Sequence, residues 1–290
     1  MDHPGWDDTL FADDSAAWHD YPGGQGHTVV GTVKVSRPLY GPAEGVRRRL
    51  LVYLPPSYDR TEKHYPVLYM HDGQNLFDAA VSYSGEWQVD ETMEALSAEG
   101  IEAIVVGVAS AGSGRAVDYS AHRHSLYGGG GADAYVDFLV REVKSLIDGS
   151  FRTLQDRVHT GVMGSSMGGS VSLYALLTRA DVFGFAGVIS PAFWWSEGTI
   201  FSFVAALPFT GGRIYIDVGD NESPEVPGRA EEYVNDATRM EALLRAKGYT
   251  PENLYFMVEA GGEHRESAWA RRLPGALRFL LGPICQARPS

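Results

Sequence analysis

The chain has 290 residues, of which 44% are hydrophobic and 11% aromatic, a composition that excludes a disordered or fibrous protein. Its 24 Lys and Arg against 37 Asp and Glu leave a formal charge of −13, so counterion release would contribute little to binding a polyanion, and neither nucleic acid nor an anionic membrane is expected as a partner. A single cysteine, Cys285, excludes an internal disulfide, and the acidic N-terminus, with no Lys or Arg before Lys34 and no apolar run near ~18 residues, points to a cytoplasmic protein unless a leader has been removed.

Residues 1–26 carry six Asp and no Lys, Arg or Glu, so −6 of the −13 lies in an acidic arm and −7 in the remainder. From His27 the texture becomes β-type, with strands expected over 27–36 and 48–54, the second stopped by Pro55-Pro56. Arg47-Arg48-Arg49 beside it reads as a solvated strand edge rather than a phosphate site. Strands and helices then alternate. A short apolar run at 66–70 precedes the loop His71-Asp72-Gly73-Gln74-Asn75. A helix is expected over 87–98 and a doubly buried strand over 101–109, followed by a Gly/Ser-rich loop and a helix over 132–148. Further strands are expected at 157–162, 185–189, 213–218 and 254–258, with helices at 170–179, 229–247 and 267–281. This alternation specifies an α/β fold with a mostly parallel central sheet and helices on both faces. A domain of ~150 residues would make two from this length, but no linker divides the chain. One domain over 27–283 with a tail at 284–290 fits better, and its oligomeric state is open.

The sharpest motif is Gly164-Ser165-Ser166-Met167-Gly168, a Gly-x-Ser-x-Gly set between an expected strand and an expected helix. In that context Ser166 sits on a strained turn with its hydroxyl thrust out of the sheet, and the helix N-terminus aims the Met167 N–H at a developing oxyanion. A serine nucleophile needs a base and an acid from later strand ends. His264 follows the last strand and is the only histidine after Ser166. Glu222 lies in the turn after 213–218 and is the favoured acid, with Asp220 the alternative. A second oxyanion N–H is expected from Gly73 or Gln74, in the loop after 66–70. His71–Asp72 and His122–His124 lack a third ligand at a recognisable spacing, so no metal is expected, nor any cofactor. Phe193-Trp194-Trp195 stand beyond a strand end, where they could line a substrate pocket or pack the loop onto the sheet; Trp87 is a weaker candidate of the same kind.

These residues resemble the putative-esterase family of α/β-hydrolases, which includes enterochelin-type, feruloyl and acetylxylan esterases and S-formylglutathione hydrolases. The resemblance runs from about residue 30 to 282 and is carried by Val52-Tyr53-Leu54-Pro55-Pro56-Ser57-Tyr58, by Tyr69-Met70-His71-Asp72-Gly73-Gln74-Asn75-Leu76-Phe77-Asp78, by the segment 164–169 and by Ser190-Pro191-Ala192-Phe193-Trp194-Trp195. It implies the α/β-hydrolase fold and hydrolysis of a small-molecule or carbohydrate-linked ester through an acyl-enzyme on Ser166, with His264 as base. The family's acid sits third after the glycine that follows its strand, which is Glu222, although many relatives carry Asp. An acyltransferase on the same fold, or a non-catalytic binding module, are the alternative expectations.

Overall fold

The computed structural model describes residues 17–42 and 46–286; residues 1–16 of the acidic arm and 287–290 of the tail lie outside the described residues. Nine strands make one sheet: β1 (Trp18–Asp20), β2 (Thr32–Ser36), β5 (Leu50–Leu54), β6 (Val67–His71), β7 (Ile104–Val108), β8 (Thr160–Ser165), β9 (Phe185–Ile189), β10 (Arg213–Gly219) and β11 (Leu254–Glu259). Their spatial order is β1-β2-β5-β7-β6-β8-β9-β10-β11. The first four neighbours pair antiparallel, and every pair from β7–β6 to β10–β11 is parallel. Leu39–Tyr40 (β3) and Arg47–Arg48 (β4) form a separate small ribbon.

Alternation along the central strands divides the core in two. Val67 and Tyr69 of β6, Val162 of β8 and Ile214, Ile216 and Val218 of β10 face one cluster, whereas Leu68, Met70, Met163 and Tyr215 face the other. The first face is covered by the long helical stretch α3 (Ala132–Phe138), a π-helical turn at Leu139–Lys144 and α4 (Ser145–Ser150), together with α5 (Met167–Thr178), α6 (Thr199–Ala206) and α7 (Arg229–Ala246). The second face is covered by α1 (Val89–Ser97) and α8 (Glu266–Gln286). The short α2 (Arg115–Asp118) lies before the long stretch. This is the expected α/β-hydrolase architecture with helices on both faces.

Several local readings change. Sheet pairing begins at Trp18, upstream of the boundary drawn at residue 26, and α8 continues past Pro283 to Gln286. Residues 27–30 are not strand, because Thr28 and Val30 donate their N–H groups to the carboxylates of Asp78 (3.1 Å) and Asp90 (2.7 Å) instead of to a neighbouring strand. The arginine run is not a solvated edge. Arg48 is 2% exposed and pairs with Asp118 at 2.5 Å over the rings of Tyr135 and Phe138, and buried Arg49 donates to the Ser36 carbonyl.

Candidate active site

Because β6 and β8 are adjacent and parallel, their C-terminal ends share one edge of the sheet, and the turns that follow them meet there. Ser166 sits between β8 and α5 at φ 58° and ψ −124°, a left-handed backbone that only a tightly held turn sustains in a non-glycine residue. It is held through its own backbone. The Ser166 N–H donates to the Ile189 carbonyl, and the Ser166 carbonyl accepts from the N–H groups of Ala192 and Ser170. Gly164 leaves room for this packing, since a Cβ there would stand 2.8 Å from the His71 ring and 3.0 Å from the Gly168 backbone.

The turn after β6 supplies the facing wall. Asp72 adopts φ 54°, and Gly73–Asn75 make a single 3₁₀ turn. A Cβ on Gly73 would lie 2.6 Å from the Gly107 carbonyl carbon and 2.8 Å from the Val108 nitrogen, so the turn is pressed against β7 at a point where backbone cannot yield. The Gln74 side chain accepts from the Ser110 N–H at 3.1 Å and is thereby drawn toward the loop after β7. Arg115 makes two 2.8 Å contacts to Asp72, and Asn75 reaches Glu266 at the start of α8 at 3.1 Å. The Gly73–Gln74 backbone and the Met167 N–H thus both follow the C-terminal ends of the adjacent strands β6 and β8. His71 is buried and bonded to the Tyr135 hydroxyl at 2.9 Å, and burial pushes it down to about 3, so it is neutral. His124 accepts from the N–H groups of Leu126 and Tyr127 in its own loop.

The candidate base and acid, His264 and Glu222, come from the loops after β11 and β10. These loops cross closely, with Asn221 donating to the Gly262 carbonyl and the Asp220 N–H to that of Glu259. Glu222 is fully buried, and its Oε2 lies 2.5 Å from His264 Nδ1. Its Oε1 accepts from the Gly219 N–H at 2.8 Å and from Ser190 Oγ at 2.5 Å. Burial alone would raise this carboxyl, but hydrogen bonding and charge from His264, then the Ser190 and Gly219 donors, outweigh it and hold it below the ordinary carboxylate value. Asp220, the alternative acid, is exposed and accepts from the Gly261 N–H at 2.6 Å; it braces the histidine loop and does not meet His264.

Behind Glu222 stands a buried polar network that motif reading does not find. Ser190 Oγ accepts from Trp269 Nε1 (3.0 Å) and from the Arg272 guanidinium (2.7 Å), and its proton goes to Glu222. Arg272 also reaches Asp217 at 3.2 Å and Glu259 at 3.1 Å. Ser190-Pro191 belongs to a segment already singled out, but its role is visible only once β9 stands beside β10.

A second missed residue is Tyr233. Its ring lies 5.0 Å from that of His264, and burial, partly offset by the polar groups of Trp194 and Ser166, pushes the phenol up to about 12. No hydrogen bond joins Ser166 Oγ to His264, and the Tyr233 ring packs against the imidazole. In sequence it belongs to the buried stripe Tyr233–Ala237–Met240–Leu244 of α7 and reads as core.

The aromatic candidates separate. Trp195 is half-buried and stacks with Tyr127 and His124 at 5.4 and 5.5 Å, while Trp194 carries Arg229 4.0 Å above its ring. Phe193 is buried but, with Trp195, Met167, Tyr119 and His122, lines a cleft of about 20 Å³ beside the elbow. Trp87 does not line the site: it is 3% exposed and packs 5.5 Å from Trp269 in the second core cluster.

The family described as "Putative esterase" matches residues 42–280. The chain belongs to this family. It is 24% identical over 243 residues to an uncharacterized protein, YbbA, of Bacillus subtilis, covering 81% of this chain and 93% of YbbA. It is 28% identical over 238 residues to the endo-1,4-beta-xylanase/feruloyl esterase of Xylanibacter ruminicola, covering 79% of this chain but 29% of that protein. Among solved structures it resembles the siderophore hydrolase EstA of Aspergillus nidulans, with a TM-score of 0.68 at 19% identity over 87% of this chain and 94% of that one. This esterase is a carboxylic-ester hydrolase of the α/β-hydrolase fold. Among its described residues no helix is long and apolar enough to cross a membrane.

Proposed function

We propose that this esterase hydrolyses esters of short acyl groups through a Ser166 acyl-enzyme, with His264 as base and Glu222 as the acid that orients it. The observation that carries the reading is the 2.5 Å contact between His264 and a fully buried Glu222 at the strand edge where half-buried Ser166 sits on its strained turn. Glu222 accepts the Nδ1 proton, which leaves Nε2 free to take the proton of Ser166 as Oγ attacks the ester carbonyl. The oxyanion that forms is met by the Met167 N–H, backed by the α5 dipole, and by the backbone N–H of Gly73 or Gln74. His264 then returns its proton to the leaving alcohol, and water releases the acid by the same path.

The small cleft beside Met167 supports a short acyl group such as acetyl. The Trp194–Trp195–Tyr127 cluster outside it offers ring faces to an alcohol bearing a sugar or an aromatic ring. The feruloyl and siderophore esterases among the relatives make feruloyl and lactone esters the comparison substrates. The test is hydrolysis of p-nitrophenyl acetate with fluorophosphonate labelling, followed by kcat/KM across acetyl-sugar, feruloyl and lactone esters. Wild type is expected to turn over acetate and to be labelled, Ser166→Ala to do neither, and acetyl esters to rank first. Labelling that persists in Ser166→Ala removes Ser166 as the nucleophile, and a preference for feruloyl esters removes the short-acyl assignment.

A further inference from the structure

Spacing along the chain singles out only histidine pairs as metal ligands, but folding assembles a different group. Glu86, Asp90 and Glu91 each place one carboxylate oxygen within 4.8 Å of the other two, where the loop leading from the Gly73–Asn75 turn enters α1. An acidic first helical turn is ordinary, and a helix dipole favours it. The burial here is not ordinary. Asp90 is 0% exposed; its Oδ2 accepts the Val30 N–H at 2.7 Å, while its buried Oδ1 has no partner. Glu91 Oε2 is likewise buried without a partner. None of the ion pairs among the described residues involves Glu86, Asp90 or Glu91.

We propose that Glu86, Asp90 and Glu91 form a calcium site. Oxygen-only ligands select a hard cation, and calcium, with Ca–O distances of about 2.3–2.6 Å and tolerance of irregular geometry, suits three carboxylates completed by water. Mg²⁺ demands near-ideal octahedral geometry at about 2.0–2.1 Å and gives up its waters reluctantly, which disfavours it at such a protein-built set. Glu86 and Glu91 are half-buried, which leaves the outer side of the ion to water. The two orphaned oxygens, Asp90 Oδ1 and Glu91 Oε2, belong to adjacent carboxylates of this one cluster, where a bound cation would satisfy both.

The ion would act as a clip. Thr28 bonds Asp78 and Glu86, Val30 bonds Asp90, and Tyr21 bonds Asp78 at 2.5 Å, so the segment 21–30 is already laid across this loop by acidic acceptors. The same loop reaches Glu266, two residues after His264, through Ser84 (2.5 Å) and Asn75 (3.1 Å). Calcium would fix the N-terminal crossing to α1 and, through that loop, to the start of α8.

The test is a thermal melt and isothermal titration of chelator-stripped full-length protein at pH 8 with CaCl₂ and with MgCl₂. Wild type is expected to gain about 3–8 °C at calcium concentrations well above Kd, and less with magnesium. Asp90→Asn and Glu91→Gln should abolish the gain. If Asp90→Asn fails to fold, Glu91→Gln and Glu86→Gln, at half-buried positions, carry the same comparison. No calcium-dependent heat or shift up to about 10 mM, two decades above a site of ~0.1 mM, would overturn the proposal in favour of shared protons. A calcium shift that persists undiminished in Glu91→Gln and Glu86→Gln would overturn it in favour of non-specific binding.

Discussion

Glu222→Gln tests the site most directly, because the structure dictates which way the new amide must point. Oε1 of Glu222 receives two donors, the Gly219 N–H and Ser190 Oγ, and the serine cannot reverse its proton because it already accepts from Trp269 and Arg272. The glutamine oxygen is therefore held on the Oε1 side, and its NH₂ faces His264 Nδ1. Turning the amide over would set NH₂ against the Gly219 N–H at full burial, an unsatisfied-donor penalty of about 1–3 kcal/mol. With NH₂ toward Nδ1, that nitrogen must accept, so the imidazole carries its proton on Nε2 and cannot receive one from Ser166. The expected loss in kcat/KM is about 10²–10⁴-fold, mostly in kcat. The assay is p-nitrophenyl acetate hydrolysis alongside a thermal melt, with Asp220→Asn as control. Asp220 meets only the Gly261 N–H at the exposed loop edge, so its variant should stay within about threefold of wild type, the scale of one surface hydrogen bond. A folded Glu222→Gln within tenfold of wild type, or an Asp220→Asn that is equally impaired, would refute this assignment of the acid.

Gly73→Ala puts a methyl 2.6 Å from the Gly107 carbonyl carbon and must displace the turn; kcat should fall roughly 10–10³-fold with less change in KM, and a loss under threefold would separate this turn from oxyanion binding. Ser190→Ala strands the Trp269 N–H and one Arg272 donor, so the melting temperature should fall by about 4–15 °C for a cost of about 2–4 kcal/mol, while activity suffers less than in Glu222→Gln because Gly219 still holds Glu222. Tyr233→Phe removes the hydroxyl whose ionisation Trp194 and Ser166 partly favour; kcat should drop about 2–15-fold with an unchanged melting temperature, and unaltered kcat would make the tyrosine a packing residue only. Glu222 also carries a pH signature. Its carboxyl is lowered from the ordinary 4.5, so its stabilisation is complete above that value and is lost as pH falls through the lowered one. The difference in urea midpoint between wild type and Glu222→Gln should be constant from pH 7 to about 5 and close below about 4.5; a difference that closes above pH 6 would contradict the sign of the shift.

What was legible in the sequence was what strand ends and glycines encode locally. Strand β9 coincides with its expected span, and β8, β10 and β11 each end where Ser166, Glu222 and His264 need them. The misplacements have identifiable competitors. Helix α5 begins at Met167 rather than at 170, because Gly168 and Gly169 read as breakers, while a Cβ at Gly169 would come within 2.9 Å of the Ile189 carbonyl oxygen. Strand β8 begins at Thr160 rather than 157, because Asp156 caps a 3₁₀ turn by accepting the Val158 N–H. Strand β1 is three residues long inside an acidic segment and is specified by its pairing with β2 alone. Helix α6, Thr199–Ala206, is apolar on most sides and offers no 3.6-residue contrast to detect.

The unpredicted residues share a cause that bears on how the site works. Ser190, Trp269, Arg272 and Asp217 come from β9, α8 and β10 and meet only because β9 and β10 are adjacent and α8 crosses beneath them. Tyr233 packs against His264 from α7, on the opposite face. Glu222 is thus fixed from one side of the sheet by the Ser190 network, and the His264 ring is held between Tyr233 of α7 on the other side and Trp269 of α8. The two supports should fail differently. Loss of the polar side releases buried donors and lowers stability, whereas loss of the Tyr233 hydroxyl leaves the ring in place against His264 and should alter kcat without lowering stability. Comparing Ser190→Ala with Tyr233→Phe in both melting temperature and kcat therefore tests the division itself, and parallel effects of the two variants would show that a single undivided core holds the site.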